Sequence, residues 1–417
     1  MKYFKGSEEI EAFLGFKYIP KPRMSINENV LSSAKHETIE GSKSELIEKG
    51  QEALSKTFEE ILSLHDDSTK YIVPLSGGLD SRTILGGLLE TVDRSQIVAL
   101  TFGVPGTLDF EIGKEVAKRT GIENHQINLS PRKFGWTEEL FLSFASKYKR
   151  PFKLPRGRDA LTHAIKKLGL EDHVLFSGYL GDVVAGGHLP ENESENWATA
   201  LGYFLKHNFE SENVDEDFNP LNFLPEKPCL DPEKISYDEQ LDLGIRQPYF
   251  IKHGHLFENK VEMPFTNKNW LKFILNIPRK YRSNEYLLKK IIQKQYPKLS
   301  SIRTEKMRGL KLRSPYLLKS TLASMHKISY KISSLVGRAS SHPMTNHFDW
   351  NVEIRNSPSF CSLVKKGLED LARRGAVKTL DPVRTLEKHL QGKDCGKKIQ
   401  VLFSLEIFLK MQDKGRN

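Results

Sequence analysis

The run Tyr71-Ile72-Val73-Pro74-Leu75-Ser76-Gly77-Gly78-Leu79-Asp80-Ser81-Arg82-Thr83-Ile84-Leu85-Gly86-Gly87-Leu88-Leu89 decides how this chain folds. Its first part is apolar and partly β-branched and predicts a short buried strand, whereas Thr83 to Leu89 has the apolar spacing of a helix laid on a sheet. Between them, a strand that turns directly into a helix leaves backbone N–H groups unpaired, and Gly77-Gly78 lets that backbone approach a ligand closely. The hydroxyls of Ser76 and Ser81 add donors, and the helix dipole favours negative charge at the same place, so a phosphate or pyrophosphate is the expected guest. Asp80 would repel a bare phosphate. That conflict disappears if Asp80 holds Mg²⁺, which takes one or two carboxylates together with phosphate oxygens. The pattern is not a Walker loop, which needs Gly-x-x-x-x-Gly-Lys-Ser/Thr with its own lysine.

Working outward, Ser44 to Leu64 carries apolar residues at helical spacing and predicts an amphipathic helix feeding the first strand. Gln96 to Gly103 predicts a second buried strand, Asp109 to Thr120 a helix, Asn124 to Leu129 a third strand and His173 to Phe176 a fourth. This alternation predicts an α/β fold, a parallel sheet with helices on both faces and ligands at the strand carboxyl ends. The fourth strand runs into Ser177-Gly178-Tyr179-Leu180-Gly181-Asp182-Val183-Val184-Ala185-Gly186-Gly187. Again a strand ends in a glycine turn bearing a carboxylate. Two such turns side by side would set Asp80 and Asp182 around one Mg²⁺ on nucleotide phosphates. Residues 190 to about 235 are acidic and proline-punctuated and predict a loop-rich flap.

The 417 residues, 38% of them hydrophobic, are enough for one large domain or two coupled ones. No apolar run is long enough to span a bilayer and the first residues lack the core of a signal peptide, which sets a cytoplasmic expectation with no membrane partner. Cys229, Cys361 and Cys395 are scattered and read as reduced thiols rather than a metal pattern. A formal charge of +10 invites a nucleic-acid reading, but the cations are interleaved with 53 acidic residues and no RNA-binding module accompanies them. The densest basic run, Lys289 to Arg313, falls where a nucleotide enzyme also needs cations.

On the two glycine turns, the chain resembles the PP-loop ATP pyrophosphatases, with a fold like that of the adenine nucleotide α hydrolases, and most of all the asparagine synthetase branch. Ser177, Gly178, Asp182, Gly186 and Gly187 match that branch's second loop, and the likeness extends in correct order over most of residues 12 to 410. It implies ATP and Mg²⁺ as cofactors, pyrophosphate held by Ser76, Gly77, Gly78 and Ser81, Gly178 beside the nucleotide, and adenine near Thr101-Phe102-Gly103. It implies metal contacts from Asp80 and Asp182, and an Arg-x-Lys-like segment followed by glycine, in whose place Lys306, supported by Arg303, reaches the α-phosphate. The family glutamate of the second loop is replaced by Tyr179 and its second acid by Val183. Tyrosine at that loop is similar to β-lactam synthetase, where a Tyr-Glu pair acts as base; Glu210, Glu212 and Glu216 are then the candidate partners of Tyr179.

The resemblance divides the chain into an arm over 1–43, an ATP-binding domain over 44–310, and a helical region over 311–417 packed on it. The arm looks like the linker that follows a glutaminase domain in glutamine-dependent relatives, so the expected nitrogen source is free ammonia, another amine, or a glutaminase on a separate chain. The expected activity is an ATP-dependent, amide-forming ligation of a small-molecule carboxylate. Two rival expectations are a PP-loop enzyme acting on a tRNA base and a binding protein on a synthetase scaffold that has lost its chemistry.

Overall fold

Strand β1, Tyr71–Pro74, lies at the centre of a five-stranded sheet ordered β3-β2-β1-β4-β5, with β2 at Ile97–Gly103, β3 at Glu123–Asn128, β4 at Val174–Phe176 and β5 at Val261–Glu262. The computed structural model describes residues 3–34, 37–252, 258–335 and 341–414. Every pairing is parallel: Tyr71 is opposite Ile97 on one side of β1 and opposite Val174 on the other. Side chains alternate between the two faces as a pleated strand requires. Tyr71, Val73, Ile97, Ala99, Val174 and Phe176 enter one core, while Ile72, Val98, Leu100 and Leu175 meet Leu161 and Ile165 of the helix Gly157–Leu168 in another.

The first face is covered by the helices Lys43–Leu62, Asp80–Thr91 and Leu108–Thr120. The first of these starts where a capping box forms, the Ser42 hydroxyl accepting the Glu45 N–H and the Glu45 carboxylate accepting the Ser42 N–H. Gly86 and Gly87 let the helix after β1 seat itself between two rings. A Cβ on Gly86 would lie 2.7 Å from the Tyr296 ring, and one on Gly87 2.3 Å from Phe58.

β1 connects to β2 on one side, and the chain later returns to place β4 on the other. In such a sheet the crevice that binds ligands opens at the carboxyl ends of those two neighbours, where the order reverses. Both glycine turns leave from there.

A further core is made almost wholly of helices. Its centre is the helix Gly396–Lys414, buried on every side from Ile399 to Leu409, and it takes in Phe13 and Phe16 from the helix Ser7–Phe16 near the amino terminus. The N–H groups of Tyr3 and Phe4 donate to Gln412 Oε1 at 2.7 and 2.9 Å. The expected flap is structured over Trp197–Asn208, a helix capped by Asn196 that buries Ala200 and Phe204. Its apolar positions are spaced for a helix, but the acidic and proline-rich sequence after it masks that signal. The helical tail includes 336–340 and 415–417, which lie outside the described residues.

Candidate active site

The turn after β1 is held by its own side chains. Ser76 and Ser81 place their hydroxyls 3.2 Å apart, the Ser76 N–H donates to Ser81 Oγ at 3.3 Å, and the Gly78 N–H donates to Ser76 Oγ at 3.1 Å. The Gly77 N–H donates to Asp109 Oδ1 at 2.9 Å, so this aspartate, at the start of the helix after β2, fixes the turn from outside. Glycine is required at 77 because a Cβ would stand 2.9 Å from Glu305 Cβ. The Gly77 carbonyl accepts from the Thr304 hydroxyl at 3.0 Å, the Glu305 N–H at 3.1 Å and Arg82 Nη2 at 3.2 Å. Arg82 is fully buried and also donates to the carbonyls of Leu299, Ile302 and Arg303. Burial pulls its guanidinium down to about 10. It therefore works as a clamp between the turn and the segment that carries Lys306, a role hidden in the sequence because an arginine at a helix start usually reads as surface.

The second turn closes over the first. A Cβ on Gly181 would lie 2.6 Å from the Asp80 carboxyl carbon, and one on Gly178 3.2 Å from Asp80 Cβ. The Asp182 N–H donates to the Asp80 carboxylate. Asp80 and Asp182 thus share one electrostatic site, with Lys306 interacting with both. Burial, then the neighbouring Asp182, raise the Asp80 carboxyl well above the usual carboxylate range in spite of Lys306. Its Oδ1 is buried with no hydrogen-bond donor among the described residues. An orphaned carboxylate oxygen of this kind is an open position for a cation.

Asp182 is held differently. Burial works against its charge, but His188 Nε2 at 3.3 Å, with help from Lys306 and Arg246, brings it down to about 2. The other ring nitrogen of His188 is 2.6 Å from Asp242 Oδ2, and despite burial the two carboxylates push the imidazole up to about 10. Among the described residues no group of three or more His, Cys, Asp or Glu side chains is arranged to hold a metal alone, so a cation here would need oxygens from its ligand as well.

Lys306 makes a short ion pair with Glu285. Burial would lower its pKa, but Asp80, Glu285 and Asp182 outweigh that and raise it, so the lysine stays charged. Glu285 has a left-handed backbone at φ 56°, as do Leu180 at 69° and Arg308 at 58°. Non-glycine residues hold such strain only where the surroundings impose it. Leu180 stands two residues before Asp182 and Arg308 two residues after Lys306.

Other expected residues are placed elsewhere. Thr101 points into the core and donates to Asn124 Oδ1 at 3.2 Å, so of the expected adenine-side trio only Phe102 lines the cavity, while Gly103 turns away at φ 146°. Arg303 leaves the site to pair with Glu115 at 2.6 Å. Tyr179 is buried in the apolar core behind the second turn, where burial and Asp242 raise its hydroxyl far beyond the range of a base. The reason is local: its N–H donates to Ser177 Oγ at 3.2 Å, and the turn so formed directs the ring inward. Two of the three glutamates considered as its partners are engaged away from it, Glu210 with Lys17 at 2.9 Å and Glu212 with Lys398 at 3.0 Å.

A cavity of about 1080 Å³ opens beside the turns. Ser76, Asp80, Ser81, Ser177 and Gly178 of the two turns line it, together with Lys153, Arg156, Lys397, His342 and the stretch 344–351. His347 stacks on Phe102 at 5.4 Å. Sequence reasoning did not single out Lys153, Arg156, His347, Glu285 or His188, because each gains meaning only from a neighbour distant in the chain.

A family model described as asparagine synthase matches residues 56–236, from within the first long helix to beyond both glycine turns. Those residues are similar to an asparagine synthase domain. Members of that family use ATP. The chain is also similar to a protein of Acanthamoeba polyphaga mimivirus named "Probable asparagine synthetase (glutamine-hydrolyzing)", at 24% identity over 234 residues. That alignment covers 52% of this chain and 35% of the relative, about a third of the relative's length. The matched residues contain both aspartates and both serines of the site, whereas Lys306, Glu285 and the wall at 342–351 lie beyond them. Among the described residues no helix is long and apolar enough to cross a membrane.

Proposed function

We propose that the chain is an ATP-dependent, AMP-forming carbon–nitrogen ligase of the asparagine synthase type. The observation that carries this reading is the convergence of Asp80, Asp182 and Lys306 at the mouth of the β1 turn, with one Asp80 oxygen left unpartnered. In the first step an oxygen of the acceptor carboxylate forms a bond to the α-phosphorus of ATP, and the bond from that phosphorus to the α–β bridging oxygen breaks, releasing pyrophosphate. In the second, ammonia or an amine forms a bond to the activated carbonyl carbon, loses a proton, and AMP leaves with the electrons of the broken C–O bond.

Ser76, Ser81 and the Gly77-Gly78 backbone would receive the departing pyrophosphate, its oxygens replacing the hydrogen bonds the turn now makes with itself. Lys306, kept charged by Asp80 and Glu285, faces the charge that develops on the phosphate oxygens. Asp80, with Asp182 beside it, would hold Mg²⁺, which supplies neutralisation of the triphosphate when bound. Phe102 offers an apolar surface to the base. The burial of Tyr179 and the upward shift of its hydroxyl argue against it as the base for the second step.

Exchange of labelled pyrophosphate into ATP across a panel of carboxylic acids tests this reading. An acid that drives exchange, with loss of the signal in Asp80→Ala, supports it. Absence of exchange with every acid, together with no heat of MgATP binding, favours the non-catalytic scaffold instead.

A further inference from the structure

Resting on the ligase reading, we propose that the part of the cavity lined by Lys153, Arg156 and Lys397 is a subsite for a second anionic group, carboxylate or phosphate, on the acceptor acid. The acceptor is therefore a dianion rather than a zwitterionic amino acid.

Lys153, Arg156 and Lys397 all line the cavity. Among the described residues none of the three forms an ion pair. Glu210, the carboxylate whose field reaches Lys153, is already bound by Lys17 at 2.9 Å. The Arg156 guanidinium lies over the Phe250 ring at 4.2 Å and the Phe152 ring at 5.6 Å, contacts that hold it without neutralising it. Arg156 also immediately precedes the helix Gly157–Leu168, whose amino end adds partial positive charge at the same wall.

The acidic side chains near these cations are already engaged: Asp159, whose field reaches Arg156, accepts the Tyr148 hydroxyl at 2.5 Å and the Arg156 N–H at 2.7 Å. Asp349 caps the helix Trp350–Asn356 by accepting the Asn351 N–H at 3.0 Å, and its other oxygen accepts the Tyr330 hydroxyl at 3.3 Å. His347 adds no charge, since burial, then Arg156 and Lys153, push it down to about 4. Burial, followed by Lys17, Arg156 and Lys397, also lowers Lys153 to about 7. Unpaired cations crowded in a half-buried cavity are costly in an empty protein and favourable once an anion arrives. An ammonium group would meet like charge here.

Four probes share a three-methylene spacer and differ only in the distal group: glutarate, 4-phosphonobutyrate, butyrate and 4-aminobutyrate. Titrated calorimetrically into the full chain, at least one dianion should bind about tenfold or more tighter than butyrate or 4-aminobutyrate. Equal gains for the two dianions assign a carboxylate subsite, and a gain for the phosphonate alone assigns a phosphate subsite. The advantage should vanish in Lys153→Met and in Lys397→Gln and persist in Lys398→Gln, whose lysine pairs with Glu212 instead of lining the cavity. The bound dianion should also slow acylation of Lys153, read by mass spectrometry, where 4-aminobutyrate does not.

Binding indifferent to distal charge, a preference for 4-aminobutyrate, no binding of either dianion at about 10 mM, or wild-type preference in both lysine variants would overturn the proposal. Binding requires no turnover, so the two readings fail separately. Dianion preference without pyrophosphate exchange removes the ligase reading, and exchange with charge-blind binding removes the subsite.

Discussion

Gly181 shows how narrowly the site is built at the scale of single residues. Any side chain there meets the Asp80 carboxyl group, whose carbon would be 2.6 Å from a new Cβ. Gly181→Ala is expected to lower pyrophosphate exchange by about tenfold or more through displacement of Asp80, with a stability loss of about 1–3 kcal/mol, as for other overpacked sites. Exchange kinetics beside urea denaturation check both halves. Arg82→Met removes the donors from buried carbonyls on two stretches and should destabilise the fold by about 3 kcal/mol. Because the clamp also positions the Lys306 segment, exchange at low temperature, where the variant is still folded, should remain depressed.

The helix after β1 is seated by glycines rather than by apolar side chains alone. Gly87→Ala forces a Cβ to within 2.3 Å of the Phe58 ring and is expected to cost about 1–3 kcal/mol. Phe58→Leu in the same chain should recover part of that loss, and a double-mutant cycle in urea measures the coupling. A second element titrates. Glu353, on the helix Trp350–Asn356, has its carboxyl raised to about 7 by burial and then by Asp349, against the pull of Arg132. Its folded pKa is above its unfolded one, so its contribution is complete below the ordinary value of 4.5 and is lost as pH rises through about 7. Glu353→Gln should therefore match wild type near pH 4 and exceed it by on the order of 2 kcal/mol near pH 8. Urea midpoints at a series of pH values decide it.

Across the whole molecule, the two ends of the chain share a core. Removing residues 1–18 deletes no group of the candidate site, yet it uncovers apolar surface on the helix Gly396–Lys414 and takes Tyr3 and Phe4 from Gln412. The shortened chain should bind a hydrophobic dye and lose cooperative unfolding, seen by fluorescence during thermal denaturation. What the sequence discloses follows the same division. The strands around β1 and both glycine turns are legible because pleat alternation and glycine-bearing turns are written in adjacent residues, and the meeting of Asp80 with the Asp182 turn follows from parallel neighbours. Lys153, Arg156 and Lys397 are opaque because their common cavity is closed by segments more than two hundred residues apart. The burial of Tyr179 is not legible because its loop position alone does not tell which way the ring faces.

One oxygen, the Gly77 carbonyl, gathers donors from the first helix turn and from the strand-like stretch before Lys306. A change in the peptide plane at Gly77 when phosphate occupies the loop must be felt at the Glu305 amide, which touches no substrate. The Glu305 resonance is thus a built-in, label-free gauge of loop occupancy, readable by NMR without modifying nucleotide or acceptor.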